Sequence, residues 1–168
     1  MAAAALAAGP GFPAGGLYAI GEFGSNVIRV FAGSTGVEIY WLAGPASSPA
    51  FSASVHSAGD QNLDGYDDLR VAFGSWHLRI QVYAGGSFQS LHPLLLEITD
   101  AAHALNPDGP CTGFGSSIAT LDDVTGDGVP DHAVGAPFAG HGSGHGPGHG
   151  SGQPNGRIHV FDGATGAV

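Results

Sequence analysis

The chain has 168 residues, which is long enough for one domain with a hydrophobic core. Glycine accounts for 30 residues, charged residues for only 11%, and short apolar runs separated by glycine turns indicate an all-β protein. The formal net charge of −10 argues against nucleic-acid binding, no segment approaches the roughly 20 apolar residues of a membrane span, and the single cysteine, Cys111, excludes an intramolecular disulfide.

The first predicted element is an apolar run at residues 1–8, for which two interpretations compete. The run resembles the short apolar core of a signal peptide, but no basic residues precede it. A β-strand is the preferred interpretation.

A strand followed by a glycine turn then occurs three times, at residues 27–36, 78–86 and 157–166. Polar and apolar residues alternate with a period of two in each copy, which is typical of a half-buried strand. The sequence therefore predicts three equivalent strands with equivalent turns after them.

Two acidic loops, residues 60–68 and 123–131, share one layout and lie 63 residues apart. Oxygen-bearing side chains stand at loop positions 1, 3, 5 and 9, and glycine at position 6 permits the reversal of the backbone. Carboxylate, amide, hydroxyl and backbone oxygens are the ligands that calcium takes in proteins. The predicted ligands are Asp60, Asn62, Asp64, Tyr66 and Asp68 in the first loop and Asp123, Thr125, Asp127, Val129 and Asp131 in the second, where Tyr66 and Val129 contribute backbone carbonyls.

Ordinary Asx turns and EF-hands are the alternatives for these loops. Asp, Asn and Gly also dominate turns, but a turn needs only two or three of these residues. An EF-hand needs a glutamate at position 12, where this chain has Val71 and Val134, and it needs flanking helices that the β-branched flanks disfavour. The sequence therefore predicts two Ca²⁺ sites with a mainly structural role.

Other candidate sites are weaker. His141, His145 and His149 are spaced by four within a glycine-rich tract, where weak transition-metal binding competes with a flexible polar loop. Trp41 and Trp76 could stack on a sugar, although packing is the more frequent role of tryptophan. No convincing catalytic set is present, so the chain is predicted not to be an enzyme.

The acidic loops belong to a longer repeat. An apolar segment leads into each loop, at residues 51–55 and 114–118, and a strand leaves each loop, at residues 69–73 and 132–136. Together with the strand and glycine turn that follow, each unit predicts a blade of four antiparallel strands.

These residues resemble the FG-GAP repeat family, which includes the N-terminal β-propeller of integrin α subunits. Phe114 and Gly115 precede the second acidic loop, and Gly135, Ala136 and Pro137 follow it, as the family name requires. The first unit diverges, since Ser52 replaces the glycine and residues 72–74 read Ala-Phe-Gly.

The resemblance implies an all-β fold of propeller blades, here a partial propeller of about two to three blades. We expect a single domain over 1–168 with units at about 1–50 (partial), 51–113 and 114–168. Because propellers close with about four to eight blades, we expect a fragment of a longer propeller or a chain that pairs with other copies.

The resemblance also implies a calcium-binding, non-catalytic module in extracellular ligand binding or cell adhesion. The alternative is an accessory propeller portion of a secreted hydrolase or lyase whose catalytic residues lie outside this chain. The expected partners are an unknown extracellular protein or glycan ligand and, through open blade edges, other copies of the chain, with no nucleic acid and no membrane span. The expected location is extracellular or at the cell surface.

Overall fold

The computed structural model describes the backbone of residues 2–6. It describes the backbone and side chains of residues 16–22, 25–45, 54–73, 79–85, 93–99, 113–139 and 156–168. Within these residues the regular structure consists of eleven β-strands in three antiparallel sheets. The predicted all-β class is confirmed. Among the same residues, no helix has the length and apolar character needed to cross a membrane.

The first sheet, called blade 1, contains four strands in the order β1-β2-β3-β4. The strands are β1 (Ala2–Leu6), β2 (Leu17–Glu22), β3 (Val27–Ala32) and β4 (Glu38–Ala43). β1 pairs with β2, so the strand interpretation of the N-terminal apolar run is confirmed for these residues. The turns between neighbouring strands contain Asn26 and Gly36 at positive φ, a conformation that Asn and Gly tolerate.

The second and third sheets, blade 2 and blade 3, repeat this arrangement. Blade 2 has the order β5-β6-β7-β8. Its strands are β5 (Ser54–Gly59), β6 (Asp68–Phe73), β7 (Arg79–Tyr83) and β8 (Leu94–Thr99). Blade 3 has the order β9-β10-β11, with β9 (Ser117–Thr120), β10 (His132–Ala136) and β11 (Arg157–Phe161).

Blades 1 and 2 pack face to face through aliphatic side chains. Strand alternation turns every second residue of β2 and β3 towards blade 2, and Ile28 and Val30 of β3 are completely buried there. Blade 2 contributes the facing side chains Val55, Leu69, Val71 and Phe73. Each such side chain contributes about 1.5–3 kcal/mol through removal of its surface from water, so this layer is a main source of stability.

Blades 2 and 3 pack in the same way through the opposite face of blade 2. Ile80 of β7 is fully buried against a cluster that includes Phe114, Val134 and Phe161 from blade 3. The rings of Phe114 and Phe161 meet edge to face with centroids 5.8 Å apart, a favoured geometry for aromatic pairs. The middle blade is therefore covered on both faces.

A polar group of three side chains lies within the contact between blades 2 and 3. Arg70 is 1% exposed, and one of its terminal nitrogens lies 2.7 Å from Nδ1 of His132. His132 in turn lies 3.2 Å from Oε1 of Gln61. Burial lowers the pKa of Arg70 to about 10 and, together with the charge of Arg70, lowers the pKa of His132 to about 4. His132 is therefore neutral at pH 7 and can accept a hydrogen bond from Arg70.

The predicted blade architecture is thus confirmed as three antiparallel sheets of three or four strands. Trp76, Cys111, and the histidine tract at 141–149 lie outside the described residues. The assignment of the chain to one domain of three units, and to a larger propeller, stays a prediction.

Candidate metal centres

The two acidic loops occupy equivalent places in their blades. The first connects β5 to β6, and the second connects β9 to β10. Each therefore joins the first described strand of its blade to the second. The predicted 63-residue repeat corresponds to a repeated position in the fold.

The backbones of the two loops bend in the same way. Positive φ angles occur at position 6 of both loops, at Gly65 (90°) and Gly128 (91°). They also occur at position 4, at Leu63 (58°) and Gly126 (87°). The glycine at position 6 was recognised in the sequence, but the requirement at position 4 was missed, because leucine there gives no signal of a left-handed conformation.

The aspartate at position 1 organises each loop. In the first loop, Asp60 accepts hydrogen bonds from the amides of Asp64 (2.9 Å) and Gly65 (2.8 Å). In the second loop, Asp123 accepts hydrogen bonds from Gly126 (2.5 Å), Asp127 (3.2 Å) and Gly128 (2.8 Å). These hydrogen bonds from Gly128 and Gly126 lower the pKa of Asp123, so its carboxylate stays ionised and available to a cation.

The side-chain oxygens at position 5 of both loops, and at position 3 of the first loop, also accept amides within their loop, whereas the Thr125 hydroxyl at position 3 of the second loop donates to Asp131. Asp64 and Asp127, at position 5, each accept the amide of position 7, from Tyr66 (3.0 Å) and Val129 (2.8 Å). At position 3, Asn62 accepts the amide of Asp64 through Oδ1 at 3.1 Å, and that amide also bonds to Asp60. Oxygens from positions 1 and 3 therefore converge on one amide of the first loop.

The aspartate at position 9 is buried in both loops and connects two parts of its blade. Asp68 is 0% exposed and accepts hydrogen bonds from Gln61 (2.8 Å) and from Gly85 in the turn after β7 (2.9 Å). Asp131 is also 0% exposed and accepts the amide of Gly163 in the turn after β11 at 2.9 Å. Its other oxygen accepts the amide of Val124 at 2.8 Å.

The two position-9 carboxylates have pKa values shifted in opposite directions, although burial acts on both in the same way. For Asp68, burial raises the pKa to about 6, and the hydrogen bonds from Gly85 and Gln61 only partly oppose this effect. For Asp131, burial also raises the pKa, but the hydrogen bonds from Gly163, Val124 and Thr125 together lower it below the ordinary value. The second loop holds its position-9 charge more readily because more donors face it.

Two glycines that sequence analysis did not identify as part of the site complete this connection. A Cβ atom on Gly85 would overlap the backbone oxygen of Asp67, and one on Gly163 would overlap the backbone oxygen of Pro130. The glycine turn after the third strand of a blade therefore touches the end of the acidic loop directly. The sequence shows that a glycine turn follows the third strand in both blades, but it does not show that Gly85 and Gly163 contact the acidic loops.

The donor set of each loop fits a hard divalent cation. Aspartate carboxylates, the Asn62 amide, the Thr125 hydroxyl and backbone carbonyls are oxygen ligands, and a carboxylate oxygen that accepts an amide keeps a second lone pair. Among the residues that the structure describes, however, no group of three or more His, Cys, Asp or Glu side chains stands in a metal-holding arrangement. The oxygens at positions 1 and 5 face loop amides, so the ten predicted ligands remain a prediction.

The repeated blades and their duplicated loops define a repeat protein of the propeller class. The FG-GAP repeat family matches residues 114–161, which include the second acidic loop and all three strands of blade 3. The chain is an FG-GAP repeat protein, and the predicted family is confirmed.

Several named proteins are similar to the chain. Phosphatidylinositol-glycan-specific phospholipase D of Rattus norvegicus is 31% identical over 153 residues, which cover 83% of this chain and 17% of that protein. Integrin alpha-5 of Xenopus laevis is 30% identical over 154 residues, which cover 88% of this chain and 13% of the integrin. Integrin alpha-7 of Homo sapiens is 33% identical over 125 residues, which cover 69% of this chain and 10% of the integrin. The chain thus spans less than a fifth of the length of these relatives.

Proposed function

We propose that this chain is a calcium-binding FG-GAP propeller module that serves extracellular ligand binding or cell adhesion and is not itself catalytic. The observation that carries the proposal is the repetition of one loop with the same hydrogen bonds: carboxylates at positions 1, 5 and 9 accept equivalent amides in both copies. A loop that is prefolded around its own oxygens needs little reorganisation to take up Ca²⁺. We place two Ca²⁺ ions in the chain, one in each loop.

The ion would relieve repulsion among clustered carboxylates and hold the hairpin that joins two strands. In blade 3, the carboxylates of Asp123, Asp127 and Asp131 lie in one nine-residue loop. Millimolar affinity suffices for such sites in extracellular modules, where calcium is abundant. We therefore place the module outside the cell or at the cell surface, where calcium sites of such affinity would be filled.

Calcium titration followed by isothermal calorimetry tests the proposal. The unaltered chain should bind two ions, and Asp127→Ala and Asp64→Ala should each bind one, because each removes a carboxylate from a different loop. Asp122→Ala is the matched control, since Asp122 is an exposed aspartate beside the second loop but outside the ligand positions. A stoichiometry of zero for the unaltered chain would refute the calcium proposal.

Thermal unfolding gives an independent readout. Calcium at about 100 times its Kd should stabilise the folded chain by about 2.7 kcal/mol per site, since it binds the folded state alone. Addition of EDTA should therefore lower the Tm, and excess Ca²⁺ should restore it. A melting curve that does not respond to EDTA contradicts the proposal, even if ions bind elsewhere on the chain.

The strongly perturbed titratable groups among the described residues are relevant to whether this part of the chain could be catalytic. Among the described residues, burial causes large pKa shifts at four groups, which lie inside a blade or between blades: Tyr40, Asp68, Arg70 and His132. A perturbed pKa points to a catalytic group when the group sits in a cleft that substrate can enter, and these groups are enclosed by packed strands instead.

The second candidate function is that of an accessory propeller portion of a secreted hydrolase or lyase. The observation in its favour is the similarity to a phosphatidylinositol-glycan-specific phospholipase D over 83% of this chain. The complete open reading frame separates the two candidates: a flanking catalytic domain supports the second, and further repeats alone support adhesion. In either case we expect the ligand to be a protein or a glycan.

A further inference from the structure

Gln61 lies within the first candidate calcium site without being one of its predicted ligands. It occupies position 2 of the first loop, directly between the predicted ligands Asp60 and Asn62. Its backbone amide donates a hydrogen bond to Asp68, the position-9 ligand of the same loop, at 2.8 Å. An ion that draws these ligands together therefore also fixes the backbone of Gln61.

The side chain of Gln61 reaches across to the second candidate site. Its Nε2 donates a hydrogen bond to the carbonyl oxygen of Pro130 at 2.8 Å. Its Oε1 lies 3.2 Å from Nε2 of His132. Pro130 and His132 are the chain neighbours of Asp131, the position-9 ligand of the second loop. One side-chain amide thus holds the residues on both sides of a predicted ligand.

The surroundings of this amide fix its orientation. Gln61 is only 8% exposed, and Nε2 uses its other hydrogen for the carbonyl oxygen of Ala58 at 2.9 Å. Nδ1 of the neutral His132 ring already accepts a hydrogen bond, so the ring proton lies on Nε2 and is donated to Oε1 of Gln61. Gly163, whose own amide donates to Asp131, lies against the same group, since a Cβ atom there would be 2.9 Å from Oε1. The side chain cannot turn away without breaking these hydrogen bonds.

We propose that Gln61 couples the two calcium sites, so that an ion bound in one loop strengthens the binding of an ion in the other. The inference rests on the proposed calcium-binding function of the loops. An ion in the first loop orders Gln61, and the ordered side chain holds Asp131 in place through its two neighbours. The second ion then binds with a smaller loss of conformational entropy, which is positive cooperativity. Because coupling between two sites is reciprocal, the ions strengthen each other equally in either order of binding.

Repulsion between the two ions opposes this coupling only weakly. The first loop contains four aspartates and the second contains three, so the carboxylates of each loop outweigh the double charge of its ion. Residues 62–65 and 123–128 are exposed to solvent, where salt at about 0.15 M screens charges beyond roughly 8 Å. The sign of the coupling is therefore set by the ordering of Gln61.

Nuclear magnetic resonance titration with Ca²⁺ measures the coupling. The amide signals of Gly65 and Gly128 report the two sites separately, since each amide donates to the position-1 aspartate of its own loop. Asp127→Ala gives the association constant of the first site alone, and Asp64→Ala gives that of the second site alone. The overall constant of the unaltered chain for two ions, divided by the product of these constants, is the coupling factor.

We expect a coupling factor of about 5 or more in the unaltered chain, which is the lower end of the range for coupled sites in proteins. A factor of one or less overturns the proposal. Two sites that fill independently refute the coupling and leave the calcium proposal intact. A chain in which neither glycine signal responds to calcium refutes the calcium proposal and the coupling together.

The same measurements on Gln61→Leu test the residue itself. The substitution removes the side-chain hydrogen bonds at similar volume, so the coupling factor should fall to about one. Circular dichroism checks that the variant folds. Gln61→Asn keeps an amide but is too short to reach the second loop, and it should lose the coupling in the same way. A factor that stays at the value of the unaltered chain in a folded variant overturns the proposal.

Thr120→Val is the matched control for a general loosening of the contact between blades 2 and 3. The Thr120 hydroxyl donates to the carbonyl oxygen of Ser57 at 2.8 Å across the same contact, but neither residue is the neighbour of a predicted ligand. This variant loses a hydrogen bond of the same kind and should keep the coupling factor of the unaltered chain. An equal loss of coupling in Thr120→Val and Gln61→Leu would assign the coupling to blade packing and overturn the role of Gln61.

Discussion

At the scale of single residues, position 4 of the acidic loops has a left-handed backbone conformation in both copies, and its free-energy cost differs between the two residues that adopt it. Both loops need a positive φ there, and the residue is Leu63 in one and Gly126 in the other. The left-handed conformation costs an L-residue with a Cβ about 1–2 kcal/mol, whereas glycine adopts it freely. Leu63 is 62% exposed, so burial of its side chain offsets little of this conformational cost.

Leu63→Gly should therefore stabilise the chain. We expect a gain of about 0.5–1 kcal/mol, since relief of backbone strain exceeds the extra chain entropy that glycine loses on folding. Urea denaturation in the presence of EDTA measures this without a contribution from bound metal.

The reciprocal change, Gly126→Ala, is the matched control. A Cβ at Gly126 has nothing within 4 Å, so strain is the sole effect, and a loss of about 1 kcal/mol is expected. Changes of the same sign at both positions would contradict the strain argument.

At the scale of secondary-structure elements, the buried aspartate at position 9 joins the acidic loop to the turn after the third strand. Asp131 and Gly163 form this connection in blade 3, and Asp68 and Gly85 form it in blade 2. Because the turn is reached across the sheet, the loop and the outer part of the blade are stabilised together.

Gly163→Ala should break this connection. A Cβ would overlap the Pro130 backbone oxygen, which cannot move aside as a flexible side chain can, so we expect a loss of about 1–3 kcal/mol. The exposed neighbouring substitution Ala164→Ser should change the Tm very little. Equal melting temperatures for Gly163→Ala and the unaltered chain would show that the loop and the turn are independent.

At the scale of the whole molecule, one side chain connects the two candidate calcium loops. Gln61, at position 2 of the first loop, donates hydrogen bonds to the carbonyl oxygens of Ala58 (2.9 Å) and, in the second loop, Pro130 (2.8 Å). Thr120 adds a hydrogen bond to Ser57 across the same contact at 2.8 Å. The two loops therefore form neighbouring parts of one assembly.

Gln61→Leu should loosen the contact between blades 2 and 3. It leaves two carbonyl acceptors and His132 without their partner, which costs about 1–3 kcal/mol. Urea unfolding measures the loss. Val124 holds the same loop position in blade 3 and is 62% exposed, so Val124→Leu is the matched control and should stay within about 0.5 kcal/mol. An equal effect of both changes would mean that the hydrogen bonds of Gln61 do not stabilise the contact between blades 2 and 3.

Local patterns in the sequence determined the strands, the blade units, the family and the position of the acidic loops. Alternation at residues 27–36, 78–86 and 157–166 reflects the pleat of a strand, and the spacing of oxygens in the loops reflects side chains on one side of a tight bend. Both are properties of neighbouring residues, which a single sequence displays directly.

Tertiary structure alone decided which faces are covered and which distant residues meet. The pairs Ile80–Val82 and Ile158–Val160 have the same residue types, yet the first is buried and the second exposed, because within the described part of the chain a blade packs on the first pair and not on the second. The contact of Gln61 with Pro130 and the burial of Arg70 beside His132 likewise join residues more than 60 positions apart. Such contacts depend on how complete sheets stack, and no local pattern of residues encodes them.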